Sequence, residues 1–200
     1  MEKARSSYAG PITCVRKKNG KLRICGDFRA LNSITVSDHH TLPRIDYLKQ
    51  VVNGQIFTTL DLKDGFYQIP ITEADRHKTA ISTPWGTYQY KTMPFRLRNA
   101  PPTFKRYMNI VLEHLVGVLI YIDDVIIFNQ TYEQHLVTLR TVFKRLQTFG
   151  LTINKEKSSF AQVSVKYLGF EFFSKEYRPV DLIIPKLRNM PVRKQKKWLC

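Results

Sequence analysis

The chain has 200 residues, which is enough for one domain with a substantial hydrophobic core and too few for two average domains. Its composition, with 43% hydrophobic and 24% charged residues, is that of a globular protein and excludes a disordered or collagen-like chain. The 32 Lys and Arg residues outnumber the 16 Asp and Glu residues, and the resulting net charge of +16 favours a polyanionic partner, either nucleic acid or an acidic membrane surface.

The first predicted element is a β-hairpin over residues 12–28. Two strand-like runs, ITCVRKK and KLRICGDF, flank Asn19-Gly20, which is a strong signal for a hairpin turn. The tip of this hairpin is rich in cations, namely Arg16, Lys17, Lys18, Lys21 and Arg23. Taken alone, these cations are as consistent with a solvated tip as with a phosphate-binding site.

A short helix and a series of strands follow the hairpin. Pro43 opens the helix, and its apolar stripe is followed by Gly54, a typical residue just after a helix end. Strands are predicted over residues 56–62, 66–71, 77–83 and 87–93. A turn at Trp85-Gly86 is expected between the last two of these strands.

The second half of the chain alternates helices with strands. Pro94, Pro101 and Pro102 bracket a predicted loop. After it, the apolar spacing predicts helices over residues 103–114 and 132–149, and the second helix has the stripe Leu136, Leu139, Phe143 and Leu146. Strands are predicted on both sides of Asp123-Asp124, near residues 151–154, and over residues 165–173. This order indicates an α+β fold in which helices cover one face of an antiparallel sheet.

No membrane-spanning segment is predicted, although residues 115–128 are strongly apolar. Asp123 and Asp124 interrupt this stretch, and its uninterrupted part covers only residues 115–122. That part is far shorter than the ~20 residues of a transmembrane helix. The N-terminal residues also lack the apolar core of a signal peptide. We therefore expect no membrane partner.

The cysteines do not form the pattern of a disulfide framework or a zinc site. Cys14, Cys25 and Cys200 are an odd number, none belongs to a CxxC pair, and no histidine lies at ligand spacing from them. We therefore expect a reducing, intracellular location.

The adjacent Asp123 and Asp124 are the most informative feature of the sequence. They lie between two apolar, mostly β-branched runs, so they are expected at or near a buried turn. One interpretation is a plain hairpin turn, although tight turns prefer Gly or Asn. The other is a metal site, because adjacent carboxylates are costly at a buried position unless they are solvated or bind cations.

Asp61 strengthens the metal-site interpretation because it also ends an apolar strand. If both segments belong to one sheet, three carboxylates converge at one edge. Oxygen ligands without His or Cys suit Mg²⁺ or Mn²⁺. Two such ions ~3.5–4 Å apart can support phosphoryl transfer. The residues thus indicate metal-dependent phosphoryl transfer on nucleic acid, by either a polymerase or a nuclease.

Seven segments in a fixed order make the pattern specific, whereas YIDD alone is a weak match. They are KKNGKLRICGDFRALN (17–32), TLPRID (41–46), LDLKDGFYQI (60–69), KTA (78–80), MPFRLRNAPPTF (93–104), YIDDVIIF (121–128) and VKYLGF (165–170). In order and approximate spacing, this set resembles the reverse transcriptases of LTR retroelements, in particular the Ty3/gypsy (Metaviridae) group. The resemblance extends over residues 12–179.

The resemblance implies the right-hand fold of a polymerase, with most of the thumb missing. The implied parts are an N-terminal extension (1–11), fingers (12–53 and 72–93), a palm (54–71 and 94–174) and a truncated start of the thumb or connection (175–200). It implies an RNA-directed DNA polymerase whose partners are an RNA/DNA template-primer duplex and dNTPs. The location expected from the resemblance is either a cytoplasmic particle or the nucleus. Because no RNase H, integrase or protease segment follows, we expect a fragment of a Pol polyprotein, with those segments as further partners.

The resemblance also assigns roles to individual residues. Asp61, Asp123 and Asp124 match the catalytic carboxylates. Together with the Leu62 carbonyl they would bind two Mg²⁺ ions, with Asp61 and Asp123 as the principal ligands and Mn²⁺ as an alternative to Mg²⁺. The residues expected around the incoming nucleotide are Lys17 or Lys18, Arg23 and Phe66. Phe66 falls at the position of the steric gate against ribose, although a core aromatic is the simpler interpretation. The residues expected on primer or template are Arg29, Tyr121, Leu168 and Gly169.

Two residues depart from the pattern of the family. Arg96 stands where the family usually has Gly, in a loop that the resemblance places beside the nucleotide and template. Gly26 stands where the family prefers a β-branched residue, and glycine is expected to weaken that strand. The main hypothesis is therefore an RNA-directed DNA polymerase domain. The alternative is a catalytically inactive retroelement remnant that only binds nucleic acid, and a metal-dependent nuclease is the third and weakest hypothesis.

Overall fold

The computed structural model describes residues 1–16, 20, 22–38, 45–121 and 124–180. It begins with three strands, β1 (Glu2–Lys3), β2 (Ile12–Arg16) and β3 (Leu22–Gly26). The last two pair antiparallel, from Ile12 opposite Gly26 to Arg16 opposite Leu22. The predicted hairpin is therefore confirmed, whereas Asn19 in its expected turn lies outside the described residues.

Gly26 does not interrupt the pairing of β3. A Cβ atom at this position would lie 2.6 Å from the ring of Phe28 and 2.9 Å from the side chain of Ile81. The absence of a side chain thus makes room for Phe28, whose ring is buried with Ile81 and Tyr90 in a small core. The weakening expected from Gly26 is not visible in the pairing of this hairpin.

Short helices fill much of the middle of the chain. In order, the elements are α1 (Arg29–Ile34), a 3₁₀ helix (Ile45–Asn53), β4 (Ile56–Asp61), a 3₁₀ helix (Gly65–Gln68), α2 (Glu73–Arg76), a 3₁₀ helix (His77–Thr79), β5 (Ile81–Thr83) and β6 (Gly86–Gln89). The predicted short helix is confirmed as the 3₁₀ helix Ile45–Asn53, and Pro43 lies outside the described residues. The strand predicted over residues 56–62 is confirmed as β4.

The strand predicted over residues 66–71 is wrong. The chain instead turns at Asp64, which has a positive φ of 50°, and forms a 3₁₀ helix over Gly65–Gln68. The physical reason is the three-residue spacing of Phe66 and Ile69, which places both side chains in the same core. The apolar composition of this segment was compatible with a strand, but its burial follows helical spacing.

The two following strands are shorter than predicted. The first begins only at Ile81, because His77–Thr79 forms a 3₁₀ helix, and the second ends at Gln89. The strands pair with Thr83 opposite Gly86. The turn is therefore shifted by one residue from the predicted Trp85-Gly86.

The second half of the chain contains the two long helices. Its elements are α3 (Ala100–Val111), β7 (Val118–Tyr121), β8 (Asp124–Asn129), α4 (Tyr132–Thr148), a 3₁₀ helix (Lys155–Lys157), β9 (Ser159–Gln162), β10 (Ser164–Tyr167), β11 (Phe170–Phe173) and β12 (Glu176–Pro179). None of the helices in the described part of the chain is long and apolar enough to cross a membrane.

Several boundaries in this half differ from the prediction. Helix α3 starts at Ala100, earlier than predicted, because Pro101 and Pro102 are accommodated in its first turn, where their missing N–H groups are not needed. The strand expected near residues 151–154 is only an isolated bridge between Ile153 and Leu62. The strand expected over residues 165–173 is split into β10 and β11 by a turn, and β9 and β12 were not predicted.

The central sheet lies between two layers. Its strand order is β7-β8-β4-β9, and all its pairs are antiparallel. On one face, residues of β4 and β8 such as Leu60 and Val125 pack in one core with α3 and α4. On the other face, Phe57 and Ile126 pack against the sheet β10-β11-β12. The predicted α+β fold with helices on one face is confirmed, and a second sheet covers the opposite face.

The buried face of α4 is rotated from the predicted stripe. Leu139 and Leu146 are buried as predicted, but the other buried positions are His135 and Val142, while Phe143 is half exposed. The burial of His135 is tolerated because both ring nitrogens have hydrogen-bond partners. These are Asn129 Oδ1 at 2.9 Å and Thr58 Oγ1 at 2.7 Å. A buried polar network thus joins α4 to β4 and β8.

This network predicts a loss of stability in mild acid. Burial lowers the pKa of His135 from its usual value of 6.5. The unfolded chain therefore takes up the proton first, so the free energy of unfolding falls as the pH drops below about 6.5. Thermal melts between pH 5 and 7 should show the melting temperature falling with decreasing pH. The slope of melting temperature against pH should be shallower in a His135→Gln variant. Equal slopes in the two proteins would contradict the prediction.

Candidate active site

Asp61 and Asp124 meet at one end of the central sheet. Strands β4 and β8 pair antiparallel along their length, and the last pair of the ladder is Asp61 opposite Asp124. Directly opposed residues in an antiparallel pair project to the same face of the sheet. The structure therefore brings two of the three predicted carboxylates together, and Asp123 lies outside the described residues.

The two carboxylates line a small cleft that also contains cations. The cleft has a volume of about 140 Å³, and its lining includes Lys157, Lys166 and Leu168. Lys157 Nζ lies 3.7 Å from Asp61 Oδ2. Both side chains are solvated, with 67% of the lysine and 31% of the aspartate side chain exposed. A lysine thus lies where the sequence predicts a metal ion, and sequence reasoning did not single out Lys157 or Lys166.

The backbone around Asp61 leaves the Leu62 carbonyl directed away from the neighbouring chain segment. Lys63 N donates to Thr152 O, and Asn154 N donates to Asp61 O. These bonds flank Leu62 and Ile153, so these two residues form a non-hydrogen-bonded antiparallel pair. The C=O of Leu62 therefore points away from Ile153, which is compatible with its predicted role as a metal ligand.

The oxygen donors at and beside the cleft fit a hard divalent cation. Two carboxylates line the cleft, and the Leu62 carbonyl belongs to the residue that follows Asp61. Mg²⁺ and Mn²⁺ prefer oxygen donors of these kinds. Within the described ranges, no group of three or more His, Cys, Asp or Glu side chains could hold a metal ion. The third carboxylate of the prediction, Asp123, is outside those ranges.

The Lys157–Asp61 pair predicts weak competition with metal binding. Replacing Lys157 by Gln removes a cation from Asp61, so the affinity for Mn²⁺ should rise about 2- to 5-fold, which is the range for an exposed ion pair of up to ~1 kcal/mol. Electron paramagnetic resonance titration of free Mn²⁺ measures this affinity without catalysis. Lys155→Gln removes the same charge from the same 3₁₀ helix, so equal effects of the two variants would contradict direct competition.

The predicted primer residues lie at the same end of the sheet. Leu168 and Gly169 form a two-residue turn between β10 and β11, with φ values of 49° and 81°. Positive φ at both positions is the geometry of a tight hairpin turn. Leu168 lines the carboxylate cleft, and Tyr121 pairs with Asp124 across the β7–β8 hairpin. The structure therefore places Tyr121, Leu168 and Gly169 around the carboxylates.

Phe66 is packed in the core near the site. Its side chain is 9% exposed, and its ring lies 5.0 Å from that of Phe95 and 5.2 Å from that of Phe104. These contacts account for its burial as a core aromatic. Its role as a steric gate stays a prediction.

Phe66→Ala should raise the incorporation of ribonucleotides relative to deoxynucleotides by about 10-fold. The reason is that a ring that excludes a 2′-hydroxyl discriminates by roughly 1–3 kcal/mol. The measurement is the ratio of kcat/KM for the two nucleotides. Phe95→Ala opens the same aromatic cluster without removing Phe66 and serves as the control. An unchanged ratio in Phe66→Ala would mean that Phe66 is only a packing residue.

Arg29 lies on a second surface, beside Arg96. Its side chain is 90% exposed, and its guanidinium binds Asp27. The hydrogen bonds from Arg29 hold the pKa of the Asp27 carboxyl below its usual value. Arg29, Asn32 and Arg96 line a cavity of about 430 Å³. Arg29, which is predicted to contact primer or template, thus shares a cavity with the residue that departs from the family.

Arg96 has a backbone conformation that favours glycine. Its φ is 74°, which is in the left-handed region that a long side chain occupies only with strain. The Asn32 side chain holds this loop, donating to Arg96 O at 2.8 Å and accepting from Arg98 N at 2.8 Å. The structure therefore supplies a physical reason why a glycine is expected at this position.

The remaining predicted nucleotide-binding residues are on the hairpin of β2 and β3. Lys17 and Lys18 lie outside the described residues, as does the side chain of Arg23. The backbone of Arg23 pairs with Val15 within the hairpin. Their roles therefore stay predictions.

Comparison with known proteins gives the family of the chain. Residues 15–172 match the family Reverse transcriptase (RNA-dependent DNA polymerase). The chain belongs to this family. The reverse transcriptase chain is 40% identical over 173 residues to the Retrovirus-related Pol polyprotein from transposon opus of Drosophila melanogaster, covering 82% of this chain and 17% of that protein. It is 39% identical over 176 residues to the corresponding polyprotein from transposon gypsy of the same organism, with coverage of 84% and 17%.

Among solved structures, the chain is similar to the foamy viral protease-reverse transcriptase dRH in complex with ds DNA. The TM-score is 0.86 at 27% identity, and the match covers 94% of this chain and 34% of that chain. The expected Ty3/gypsy relationship and polymerase fold are therefore confirmed, while the boundaries of fingers and palm stay a prediction. The reverse transcriptase chain spans only 17% of the length of the two transposon polyproteins.

Proposed function

We propose that this reverse transcriptase chain is the polymerase part of a Ty3/gypsy Pol polyprotein and extends a DNA primer on an RNA or DNA template. The observation that supports this most directly is the pairing of Asp61 with Asp124 across β4 and β8, at a cleft that Leu168 also lines. Family membership supports an RNA template, and the net charge of +16 supports a nucleic-acid duplex as partner.

In the proposed reaction, the oxygen of the primer 3′-hydroxyl forms a bond to the α-phosphorus of a dNTP. The bond from that phosphorus to the bridging oxygen breaks, and pyrophosphate and the hydroxyl proton leave. Bound Mg²⁺, for which Mn²⁺ can substitute, would supply Lewis acidity to the attacking and leaving oxygens. Asp61, Asp123, Asp124 and the Leu62 carbonyl would hold two such ions, with Asp61 and Asp123 as the principal ligands.

Other residues of the chain would position the substrates. Tyr121 and the Leu168-Gly169 turn would hold the primer end beside the carboxylates, since they lie at the same sheet end. Arg29 would contact the template across the cavity that it shares with Arg96. Lys17 or Lys18 and Arg23 would hold the triphosphate, which rests on the family resemblance of the hairpin. The RNase H, integrase and protease segments of a longer polyprotein would be further partners.

A second candidate function is supported by Arg96. Its left-handed backbone in the loop expected beside template and nucleotide favours a catalytically inactive remnant that only binds nucleic acid. Extension of oligo(dT) on poly(rA), with Mg²⁺ and separately with Mn²⁺, separates the two functions. Extension that requires the divalent ion supports the polymerase. Tight duplex binding without any extension supports the remnant.

A further inference from the structure

Tyr167 makes a polar contact with the strand that carries Asp124. It is the last residue of β10, and its hydroxyl donates a hydrogen bond to the main-chain carbonyl oxygen of Asp124 at 3.0 Å. The residue is only 5% exposed, and its ring packs in the core with Phe57, Ile126 and Phe172. The ring therefore belongs to the core, while the oxygen reaches the main chain of a candidate catalytic residue.

This hydrogen bond connects two structural units. Asp124 begins β8 in the central sheet and stands opposite Asp61, whereas Tyr167 belongs to the separate sheet β10-β11-β12. Tyr167 also directly precedes the Leu168-Gly169 turn, whose two positive φ values fix its shape. The Tyr167 hydroxyl thus joins the strand that carries Asp124 to the turn whose Leu168 lines the same cleft.

We propose that Tyr167 is a positioning residue that fixes the separation between the Leu168-Gly169 turn and the carboxylates. The inference rests on the proposed function, in which the turn holds the primer end and the carboxylates serve the reacting phosphate. A misplacement of ~1 Å between reacting groups can cost ~10²-fold in rate. Losing one hydrogen bond, in contrast, changes stability by only ~0.5–1.5 kcal/mol. The hydroxyl should therefore affect the rate far more than the fold.

The test is Tyr167→Phe, which keeps the buried ring and removes the hydroxyl. In single-turnover addition of one nucleotide, the maximal rate should fall about 5- to 20-fold. The KM for the dNTP and the Kd for the primer-template duplex should stay within about 2-fold, because the proposed function assigns the binding of both substrates to other residues. A fall in affinity without a fall in the maximal rate would overturn the proposal.

Tyr107→Phe is the matched control. The Tyr107 hydroxyl also donates to a main-chain carbonyl, that of Phe149 at 3.3 Å, but it joins α3 to the end of α4. Both variants remove the same kind of bond from the same half of the chain. An equal loss of rate in the two variants would mean that Tyr167 acts only through general loosening, which would overturn the proposal.

Amide hydrogen exchange tests the same inference without catalysis. Exchange in β8 and in the Leu168-Gly169 turn should be faster in Tyr167→Phe than in the wild type and Tyr107→Phe, while α4 should keep its protection. Unchanged exchange at β8 and the turn in Tyr167→Phe would overturn the proposal. Faster exchange throughout α4 in this variant would also overturn it, because general loosening of the fold indicates a purely structural role for the hydroxyl. Failure of the wild-type chain to extend any primer would contradict the proposed function instead, and exchange would still decide the role of Tyr167.

Discussion

Asp61→Asn is expected to lower single-nucleotide addition on the order of 10³-fold. Removing a single preorganised charge-stabilising group from an active site typically costs ~10²–10³-fold, and a carboxylate that holds a divalent cation lies at or above that range. The substitution keeps the volume of the side chain and removes only its charge. The measurement is single-turnover extension by one nucleotide on poly(rA)/oligo(dT) with Mg²⁺.

The fold should survive this substitution. The backbone of Asp61 is held by bonds that do not involve its carboxylate, since its N–H donates to Ser158 Oγ at 3.2 Å and its C=O accepts from Asn154 N at 2.8 Å. The ion pair with Lys157 is exposed and contributes at most ~1 kcal/mol. Circular dichroism and the melting temperature should therefore be close to those of the wild type.

Asp75→Asn is the control for a general effect of charge. Asp75 is an exposed carboxylate on α2 that pairs with Lys78 at 2.6 Å and does not line the cleft. It should keep the wild-type rate of nucleotide addition, while Asp123→Asn should lose activity as Asp61→Asn does. Near wild-type activity in Asp61→Asn would refute the metal-site interpretation of the whole cleft.

The sequence predicted the carboxylate edge because strong local patterns enclose it. Asp61 and Asp124 each adjoin an apolar, β-branched run, and such runs favour strands in a half-buried sheet. The pairing of β4 with β8 follows from this pattern together with the family resemblance. The helix α4 was predictable for a similar reason, since its apolar residues recur at helical spacing over 17 residues.

The partners of the carboxylates were not predictable in the same way. Lys157 lies 96 positions after Asp61 along the chain, and only the antiparallel pairing of β9 with β4 brings its short helix to the cleft. The Tyr167 hydroxyl reaches Asp124 through the packing of two sheets. Contacts of this kind depend on tertiary packing, which single-sequence periodicity does not encode.

The errors in the prediction share a physical cause. At residues 66–71, the apolar residue types predict a strand, but their side chains reach the core through a tight helical turn after Asp64. At Pro101 and Pro102, two helix-breaking residues predict a loop, although the first turn of a helix tolerates proline. In both segments, the tertiary core decided between conformations that the local residue types left open.

Arg96→Gly is expected to raise the rate of single-nucleotide addition by about 10- to 100-fold. The sequence identified Arg96 as a departure from the family, and the structure gives it a φ of 74° within the loop that Asn32 holds. Glycine adopts this backbone without steric cost and allows closer approach of a ligand. A ~1 Å correction in the position of template or nucleotide is sufficient for a gain of that size.

The Arg96→Gly variant should also be slightly more stable than the wild type. Removing the strain of a left-handed non-glycine residue stabilises the fold by ~1–2 kcal/mol, and the extra flexibility of glycine in the unfolded chain offsets ~0.5–1 kcal/mol of this. A small rise in melting temperature is therefore expected. Duplex affinity should change little, because it is spread over many of the 32 basic residues.

Arg96→Ala separates the backbone from the side chain. It removes the same charge and bulk but keeps a Cβ atom in the left-handed conformation. If the arginine side chain blocks the site, alanine and glycine should raise the rate equally. If backbone strain misplaces the loop, only glycine should do so. If neither variant adds a nucleotide faster than the wild type, Arg96 does not limit this chain, and the inactive-remnant hypothesis must rest on another part of the molecule.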